Sequence, residues 1–162
     1  MKRIFVKKLL LFLLTIVTIL SSFSLTACGG GSSEADVQTF YDLVVESQEC
    51  LDEVADDIYQ YWYDAIYNDE YGGDIDTAIY YALTVNSINL DKIEENEPLI
   101  QEAYKKVKDS DLSHEIKAVM LAYADYYEFV VNVSGSFNSF KADKETLKKE
   151  LASALKSLYL EM

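Results

Sequence analysis

Apolar side chains recur every three or four positions through most of residues 34–162, and this spacing restricts the fold more than any other feature. An α-helix has 3.6 residues per turn, so residues at this spacing share one face and can be buried together. A β-strand would need apolar and polar residues in alternation, and no such stretch of useful length occurs. Pro98 is the only proline in the chain, so few positions resist a helical backbone. The pattern predicts an all-α fold.

The first predicted helix runs from Ser33 to about Tyr67. Ser33, with Asp36 three residues later, is typical of a capping box at a helix start. Gly72 and Gly73 favour an end to the helix shortly before them. The residues predicted to face the core are Val37, Tyr41, Val44, Leu51, Val54, Ile58, Trp62 and Ala65.

The second predicted helix follows Asp74, a favourable capping residue, and extends to Val107. The residues predicted to face the core are Ile79, Leu83, Asn86, Leu90, Ile93, Glu97, Ile100, Tyr104 and Val107. A proline inside a helix removes a backbone hydrogen bond and usually bends the helix. Because the apolar spacing continues through Pro98, we predict one helix kinked at Pro98. Two collinear helices, with Asn96 as a cap, are the alternative.

Two further helices are predicted in the last third of the chain. One follows Ser113 and is broken at Gly135, and the next follows Asp143. Their core-facing residues are predicted to be Ile116, Val119, Met120, Tyr123, Tyr127, Val130 and Val131, then Leu147, Leu151, Ala154, Leu155 and Leu158. Four amphipathic helices with short to moderate loops predict an antiparallel four-helix bundle. We assign residues 34–162 to this single domain.

The N-terminal residues have a different pattern, which is typical of a secretory signal. Four basic residues lie within residues 1–8. An apolar run of about a dozen residues follows, the usual length for the apolar region of a signal peptide. A membrane-spanning helix would need roughly 20 such residues. The pattern therefore predicts export rather than a membrane-spanning segment.

Residues 25–28, with the sequence LTAC, resemble the lipobox of bacterial lipoproteins. The resemblance implies that residues 1–27 are a signal peptide that is removed, and that Cys28 receives a diacylglycerol group. Residues 28–33 would then form a short, flexible Gly/Ser tether. The implied location is the bacterial cell membrane, with the domain anchored through the lipid and facing outside the cytoplasm.

The predicted mature chain is strongly acidic, which limits its partners. All 28 acidic residues follow Cys28, and four of the 14 basic residues precede it, so 10 basic residues remain and the formal charge is −18. This charge disfavours binding to nucleic acids or to an anionic membrane surface, and it favours cationic partners. Cys50 is the only other cysteine, so no disulfide can form within the mature chain. Cys50 could pair between chains, although a small apolar helix residue is the simpler interpretation.

Residues 59–67, with the sequence YQYWYDAIY, contain four tyrosines and a tryptophan. Measured around the helix from Ile58, Tyr63 lies at about 140° and Tyr67 at about 180°, which directs both away from the core. Tyr81 lies about 160° from the core-facing direction of the second helix, and Tyr71 lies in the loop between the two helices. We predict that Tyr63, Tyr67, Tyr71 and Tyr81 cluster at one end of the bundle as a binding surface for a protein or glycan. Packing of these rings at the bundle end is the alternative.

Catalytic and metal-binding motifs are scarce. His114 is the only histidine, so a di-iron site with two Glu-x-x-His motifs is excluded, and a catalytic triad would have to use a residue in a turn. We predict no catalytic residue and no cofactor. The loop residues Asp69, Glu70, Asp74 and Asp76 are weak candidate ligands for a divalent ion, because they lack EF-hand spacing.

These features favour a non-catalytic, lipid-anchored extracytoplasmic module that binds a protein or another envelope partner. The alternative is a lipoprotein that binds a small ligand or a divalent ion inside the bundle. Asn86 and Glu97 motivate it, because they are polar residues at predicted core positions and buried polar groups need partners. A carboxylate-dependent wall hydrolase is the third hypothesis.

Overall fold

A computed structural model describes residues 33–162, and these residues form five α-helices and one 3-10 turn without a β-strand. The all-α prediction is confirmed. The elements are α1 (Glu34–Tyr67), the 3-10 turn (Glu70–Gly73), α2 (Ile75–Val85), α3 (Ser87–Val107), α4 (Ser113–Val131) and α5 (Phe137–Glu161). The predicted signal peptide, the predicted lipidation at Cys28 and most of the predicted tether lie outside the described residues.

Helix α1 begins and ends where the sequence predicts. The backbone N–H of Asp36 donates to the Ser33 hydroxyl at 3.2 Å, and the backbone N–H of Ser33 donates to the Asp36 carboxylate at 3.1 Å. This reciprocal capping box satisfies backbone N–H groups that a helix start leaves unpaired. The helix ends at Tyr67, and Asp69, Tyr71 and Gly72 then take left-handed backbone conformations that no α-helix can continue.

The predicted second helix is two helices that are separated at Asn86. The Asn86 side chain donates to the backbone carbonyl of Ala82 at 3.0 Å and to the Asp57 carboxylate of α1 at 2.7 Å. A short polar side chain that bonds to nearby backbone competes with the helix, which accounts for a break at this position. Helix α3 continues through both Asn96 and Pro98, so the alternative in which Asn96 caps a separate helix is wrong.

Helix α5 begins at Phe137, seven residues before the predicted start after Asp143. The backbone N–H of Ser139 donates to the Ser136 hydroxyl at 3.2 Å, and the backbone N–H of Ser136 donates to the Ser139 hydroxyl at 2.9 Å. These two serines form a capping box without the usual Glu or Gln. The additional turns bring Phe137 and Phe140 onto the helix, and Phe140 is completely buried.

Helix α1 packs against all four other helices and lies at the centre of the core. The largest completely buried side chains come from α1, α3, α4 and α5: Phe40, Leu51, Ile58, Ile93, Ile100, Ile116, Met120, Tyr123, Tyr126, Phe140, Leu151 and Leu158. None of these belongs to α2, whose only buried residues are Ala78 and Ala82. Ile79 and Leu83 of α2 pack half-buried against the core, so α2 contributes at the edge of the core rather than at its centre.

Polar contacts define how the helices run along α1. Asn86 donates to Asp57 at 2.7 Å, Asn89 to Glu53 at 2.7 Å and Asn96 to Glu46 at 3.0 Å. As the residue number rises from Asn86 to Asn96, the residue number of the α1 partner therefore falls. In α5, Lys144 contacts Asp56, Lys148 contacts Asp52 and the Tyr159 ring contacts Tyr41. Both α3 and α5 therefore run opposite to α1.

Within residues 33–162, no helix is both long enough and apolar enough to cross a membrane.

Candidate binding surface at the tyrosine-rich end

Two of the predicted surface tyrosines, Tyr63 and Tyr67, lie against the start of α5. Their ring centroids are 4.7 Å apart, and the Phe137 ring lies 6.2 Å from Tyr63 and 6.0 Å from Tyr67. Phe137 also stacks on Tyr59 at 5.1 Å. Tyr63 is 37% exposed and Tyr67 is 58% exposed. We call Tyr59, Tyr63, Tyr67 and Phe137 the α5-side set.

The other two predicted tyrosines, Tyr71 and Tyr81, lie together with residues of α1 and α2. Tyr71, in the 3-10 turn, stacks on Tyr61 of α1 at a centroid distance of 5.5 Å. The ring of Tyr81, on α2, lies 5.6 Å from the Tyr71 ring. Tyr80 contacts Tyr81 at 6.0 Å. Tyr80 is 54% exposed and Tyr81 is 48% exposed. We call Tyr61, Tyr71, Tyr80 and Tyr81 the α2-side set.

The structure therefore joins the four predicted tyrosines in two sets rather than in one cluster. Among the described residues, every ring contact of these tyrosines lies within one set or the other. The sequence reasoning did not include Phe137, because it placed this residue in a loop, and it did not include Tyr80. The short Ser136-to-Ser139 capping pattern was the available signal for Phe137.

Exposed apolar surface is concentrated in α2 and in the chain segments that flank it. Of the twelve large apolar residues that the described chain exposes, eight lie between residues 63 and 88, although this range is about a fifth of the described chain. The eight residues are Tyr63, Ile66, Tyr67, Ile75, Tyr80, Tyr81, Val85 and Ile88. A concentration of exposed apolar side chains on a folded protein is typical of an interaction surface.

The backbone of Tyr71 is held in an unusual conformation. Its φ angle is 55°, in the left-handed region that tyrosine rarely adopts. The rings of Tyr61 and Tyr81 contact Tyr71 and fix its position. Loss of contact with water raises the pKa of Tyr71, and the neighbouring Tyr61 and Glu70 raise it further. Strained residues of this kind are concentrated at functional sites, because the surrounding structure must maintain them.

The electrostatic character of this end follows from the sequence of α1 and α2. No Lys, Arg or His occurs in residues 34–91, and the first basic residue of the described chain is Lys92. The exposed aromatic rings of α1 and α2 therefore have carboxylates and no cations as neighbours in the sequence, among them the exposed Asp69, Glu70 and Asp76. Residues 34–91 supply these rings with no cation, whereas Lys141 and Lys144 of α5 lie 5.8 Å and 4.8 Å from the centre of the Tyr59 ring.

The weak candidate metal ligands have other roles or lie apart. The Asp74 carboxylate caps α2 by accepting hydrogen bonds from the Thr77 backbone N–H at 3.2 Å and the Thr77 hydroxyl at 3.0 Å. These hydrogen bonds lower the pKa of Asp74. Asp69 precedes the 3-10 turn without a side-chain capping bond. Within residues 33–162, no group of three or more His, Cys, Asp or Glu side chains is arranged to hold a metal ion.

A charged network that the sequence reasoning missed supports the α5-side set. Lys144 is 6% exposed, and its ammonium lies 2.5 Å from the Asp56 carboxylate and 4.8 Å from the centre of the Tyr59 ring. Lys148 lies 3.1 Å from Asp52, which also accepts a hydrogen bond from the Tyr126 hydroxyl at 2.8 Å. The network joins α1, α4 and α5 and fixes Tyr59 against α5.

The interior polar residues that suggested a ligand site have partners within the protein. Asn86 is bonded to Asp57 and to the Ala82 carbonyl, as described above. The Glu97 carboxylate accepts a hydrogen bond from the Gln101 side chain, and burial raises the pKa of Glu97.

The remaining reactive side chains lie away from the tyrosine-rich end. Cys50 is a half-buried free thiol, and burial raises its pKa. A raised pKa makes a thiol less reactive, because the thiolate is the nucleophile. The His114 side chain is 92% exposed at the start of α4. Neither residue has the surroundings of a catalytic nucleophile or base.

Comparison of the chain with protein-family models, with curated proteins and with solved structures gave no match. The functional interpretation therefore depends on the surface itself.

Proposed function

We propose that this protein is a non-catalytic, lipid-anchored module on the outer face of a bacterial cell membrane, and that it binds a protein partner through its tyrosine-rich end. The observation that carries the proposal is the exposure of apolar side chains on α2. This helix buries only two alanines and exposes Ile75, Tyr80, Tyr81 and Val85. An apolar helix surface of this kind is normally covered in the functional state of a protein.

The position of the surface relative to the predicted anchor supports this role. Helix α1 has 34 residues, so it is about 50 Å long. Ser33 lies at one end, next to the predicted tether, and Tyr67 lies at the other end. A lipid on Cys28 would therefore hold one end of α1 near the membrane and leave the tyrosine-rich end about 50 Å along the helix from it.

The proposed architecture is an antiparallel four-helix bundle in which α2 and α3 together form the second arm, with a bend at Pro98. The opposite directions of α3 and α5 relative to α1 support this arrangement. In such a bundle the α1–α2 connection and the α4–α5 connection lie at the same end. Both tyrosine sets would then occupy one end face, on either side of α1.

The side chains at this end suit recognition of a protein. Tyrosine supplies a large contact area at a low cost in conformational entropy, and its hydroxyl can form hydrogen bonds at the rim of an interface. The ring contacts of Tyr71 with Tyr61 and Tyr81 hold its ring in place before any partner binds. Rings that are already ordered lose little freedom on binding, which favours affinity.

Photo-crosslinking in the cells that produce the protein would test the binding function. A photo-crosslinking amino acid would replace Tyr81 in one full-length variant and Tyr159 in a matched control. Tyr159 is 62% exposed and lies against Tyr41, near the start of α1. We expect a discrete crosslinked protein from position 81 and none from position 159. Equal crosslinking from both positions, or none from position 81, would contradict the proposal.

The anchor has an independent test. We expect the Cys28→Ser variant to leave the membrane fraction, and we expect the unmodified chain to incorporate a radiolabelled fatty acid. Retention of Cys28→Ser in the membrane fraction would show that another part of the chain provides attachment.

A further inference from the structure

We propose that the partner segment covering the outer face of α2 is basic and amphipathic, with Lys or Arg side chains beside apolar ones. This inference depends on the proposed function and specifies the chemistry of the partner. We define the α2 face as Tyr80, Tyr81, Val85 and Ile88, which are 54%, 48%, 56% and 80% exposed.

The apolar part of the partner follows from the composition of the α2 face. Tyr81, Val85 and Ile88 are spaced four and three residues apart, and Tyr80 is adjacent to Tyr81. Tyr81 and Val85 share one side of α2, and Ile88 follows at the start of α3, just beyond the break at Asn86. A strip of two aromatic and two β-branched residues is complementary to the apolar side of an amphipathic helix or strand.

The basic part follows from the charges that border the face. Asp76 precedes Tyr80 by four residues, and Asp91 follows Ile88 by three, so these exposed carboxylates lie near the two ends of the strip. The ion pairs given by the described residues involve neither of them. Because residues 34–91 contain no Lys, Arg or His, this segment offers these carboxylates no cation of its own, and a basic partner would complement their charge.

The same charges argue against other occupants. A second copy of the chain that bound through the same face would bring residues 34–91 against a segment that is equally free of cations, and like charges at an interface weaken binding. An anionic lipid surface would be repelled for the same reason. A neutral partner would leave the carboxylates next to apolar surface without compensation.

The exposed tyrosine rings add a specific attraction for cations. A Lys or Arg side chain over the face of an aromatic ring is attracted by the electrons of the ring. This chain already contains such a contact, because the Lys144 ammonium lies 4.8 Å from the centre of the Tyr59 ring. Tyr80 and Tyr81 present rings of the same type to a partner.

The test uses defined peptides and the full-length protein in a non-ionic detergent. The first probe is an amphipathic helical peptide with leucine and phenylalanine on one side and lysine on the other. The second has glutamate at each lysine position, and the third has the composition of the first in a scrambled order that removes the apolar side. Fluorescence anisotropy would measure the affinity of each peptide at two salt concentrations.

We expect the first peptide to bind at least about tenfold more tightly than either of the others. Two central aromatic anchors contribute strongly to an interface, so Tyr80→Ala/Tyr81→Ala should weaken this binding by about tenfold or more. The variant Asp76→Asn/Asp91→Asn should weaken it and reduce its dependence on salt. The control variant Tyr159→Ala/Leu160→Ala removes an equally exposed pair from α5 and should bind as the unmodified protein does.

Three results would overturn the inference. If the glutamate peptide binds as well as the lysine peptide, the partner class is wrong, and crosslinking from position 81 can still support the proposed function. If the scrambled peptide binds equally, the attraction is non-specific charge and the α2 face is not the site. If no peptide binds and position 81 gives no crosslink in cells, the proposed function fails together with the inference.

Discussion

Helices α2 and α4 are both rich in tyrosine, and they use these residues in opposite ways. Helix α4 buries Tyr123, Tyr126 and Tyr127 together with five further residues. Helix α2 buries only Ala78 and Ala82 and exposes Tyr80 and Tyr81. The comparison shows that an apolar helix is not necessarily a core helix. Helix α4 places its tyrosines in the core, whereas α2 packs Ile79 and Leu83 against the edge of the core and presents its tyrosines outward.

Substitution of one tyrosine in each helix should give the largest difference in the free energy of unfolding. Tyr123→Ala removes a completely buried ring and should lower the free energy of unfolding by about 3–5 kcal/mol, as truncation of a buried aromatic residue does. Tyr80→Ala removes an exposed ring and should change it by no more than about 0.5 kcal/mol. Chemical denaturation followed by circular dichroism measures both. Equal destabilisation would mean that α2 belongs to the core.

Removal of Lys144 from the charged network that joins α1, α4 and α5 should have the next largest effect on the free energy of unfolding. Lys144→Met leaves Asp56 without the partner that it contacts at 2.5 Å, although Asp56 is about half exposed and can be hydrated. Loss of a hydrogen bond to a charged group costs about 1.5–3 kcal/mol. The control Lys149→Met, at an exposed position of α5, should change the free energy of unfolding by no more than about 0.5 kcal/mol. A neutral result for Lys144→Met in chemical denaturation would show that the network contributes little to stability.

Substitution of the glycines that precede α5 and α2 by alanine should give a smaller difference in stability. Both have a positive φ, 87° for Gly135 and 63° for Gly72, and a Cβ there costs about 1–2 kcal/mol. At Gly135 the added Cβ would also lie 2.8 Å from the Ser139 hydroxyl that caps α5, whereas no atom lies within 4 Å at Gly72. Thermal unfolding should therefore show Gly135→Ala to be the more destabilised variant. The reverse order would contradict the role of the Ser136–Ser139 cap.

The buried tyrosines of α4 should make stability depend on alkaline pH. Burial raises the pKa of Tyr127 to about 12, and it also raises the pKa values of Tyr123 and Tyr126. Unfolded tyrosine ionises near pH 10, so the native state holds more protons between about pH 10 and about pH 12. The free energy of unfolding should therefore decrease as pH rises through this window. Chemical denaturation at several pH values should give a shallower decrease for Tyr127→Phe, and an unchanged slope would contradict this assignment.

Helical spacing and local capping were sufficient to predict the fold class and the limits of α1. They were not sufficient for the break at Asn86, because its side chain bonds to Asp57, which lies on another helix. The start of α5 was missed because its cap uses two serines, a weaker pattern than Ser33 with Asp36. In both cases, polar side-chain contacts decided the boundary.

The tyrosine-rich end could be predicted only in part. Helix geometry was enough to predict that Tyr63, Tyr67 and Tyr81 point away from the core-facing sides of the first two predicted helices. Their division into two sets depends on Phe137, whose position depends on the start of α5. Ile79 and Leu83 pack half-buried against the core, as their spacing predicts, but that spacing does not indicate that α2 buries only two alanines completely. The proposal that this surface binds a partner therefore comes from the exposure of α2 in the folded chain.

Chemical modification of exposed tyrosines would test the central claim most directly, because it requires no knowledge of the partner. The rates at Tyr80, Tyr81 and Tyr159 would be measured by mass spectrometry, on the purified full-length protein and on intact cells. We predict that Tyr80 and Tyr81 react in the purified protein and are protected several-fold on cells, while Tyr159 reacts alike in both. If Tyr80 and Tyr81 react on cells as fast as in the purified protein, the α2 face is not covered and is not the binding surface.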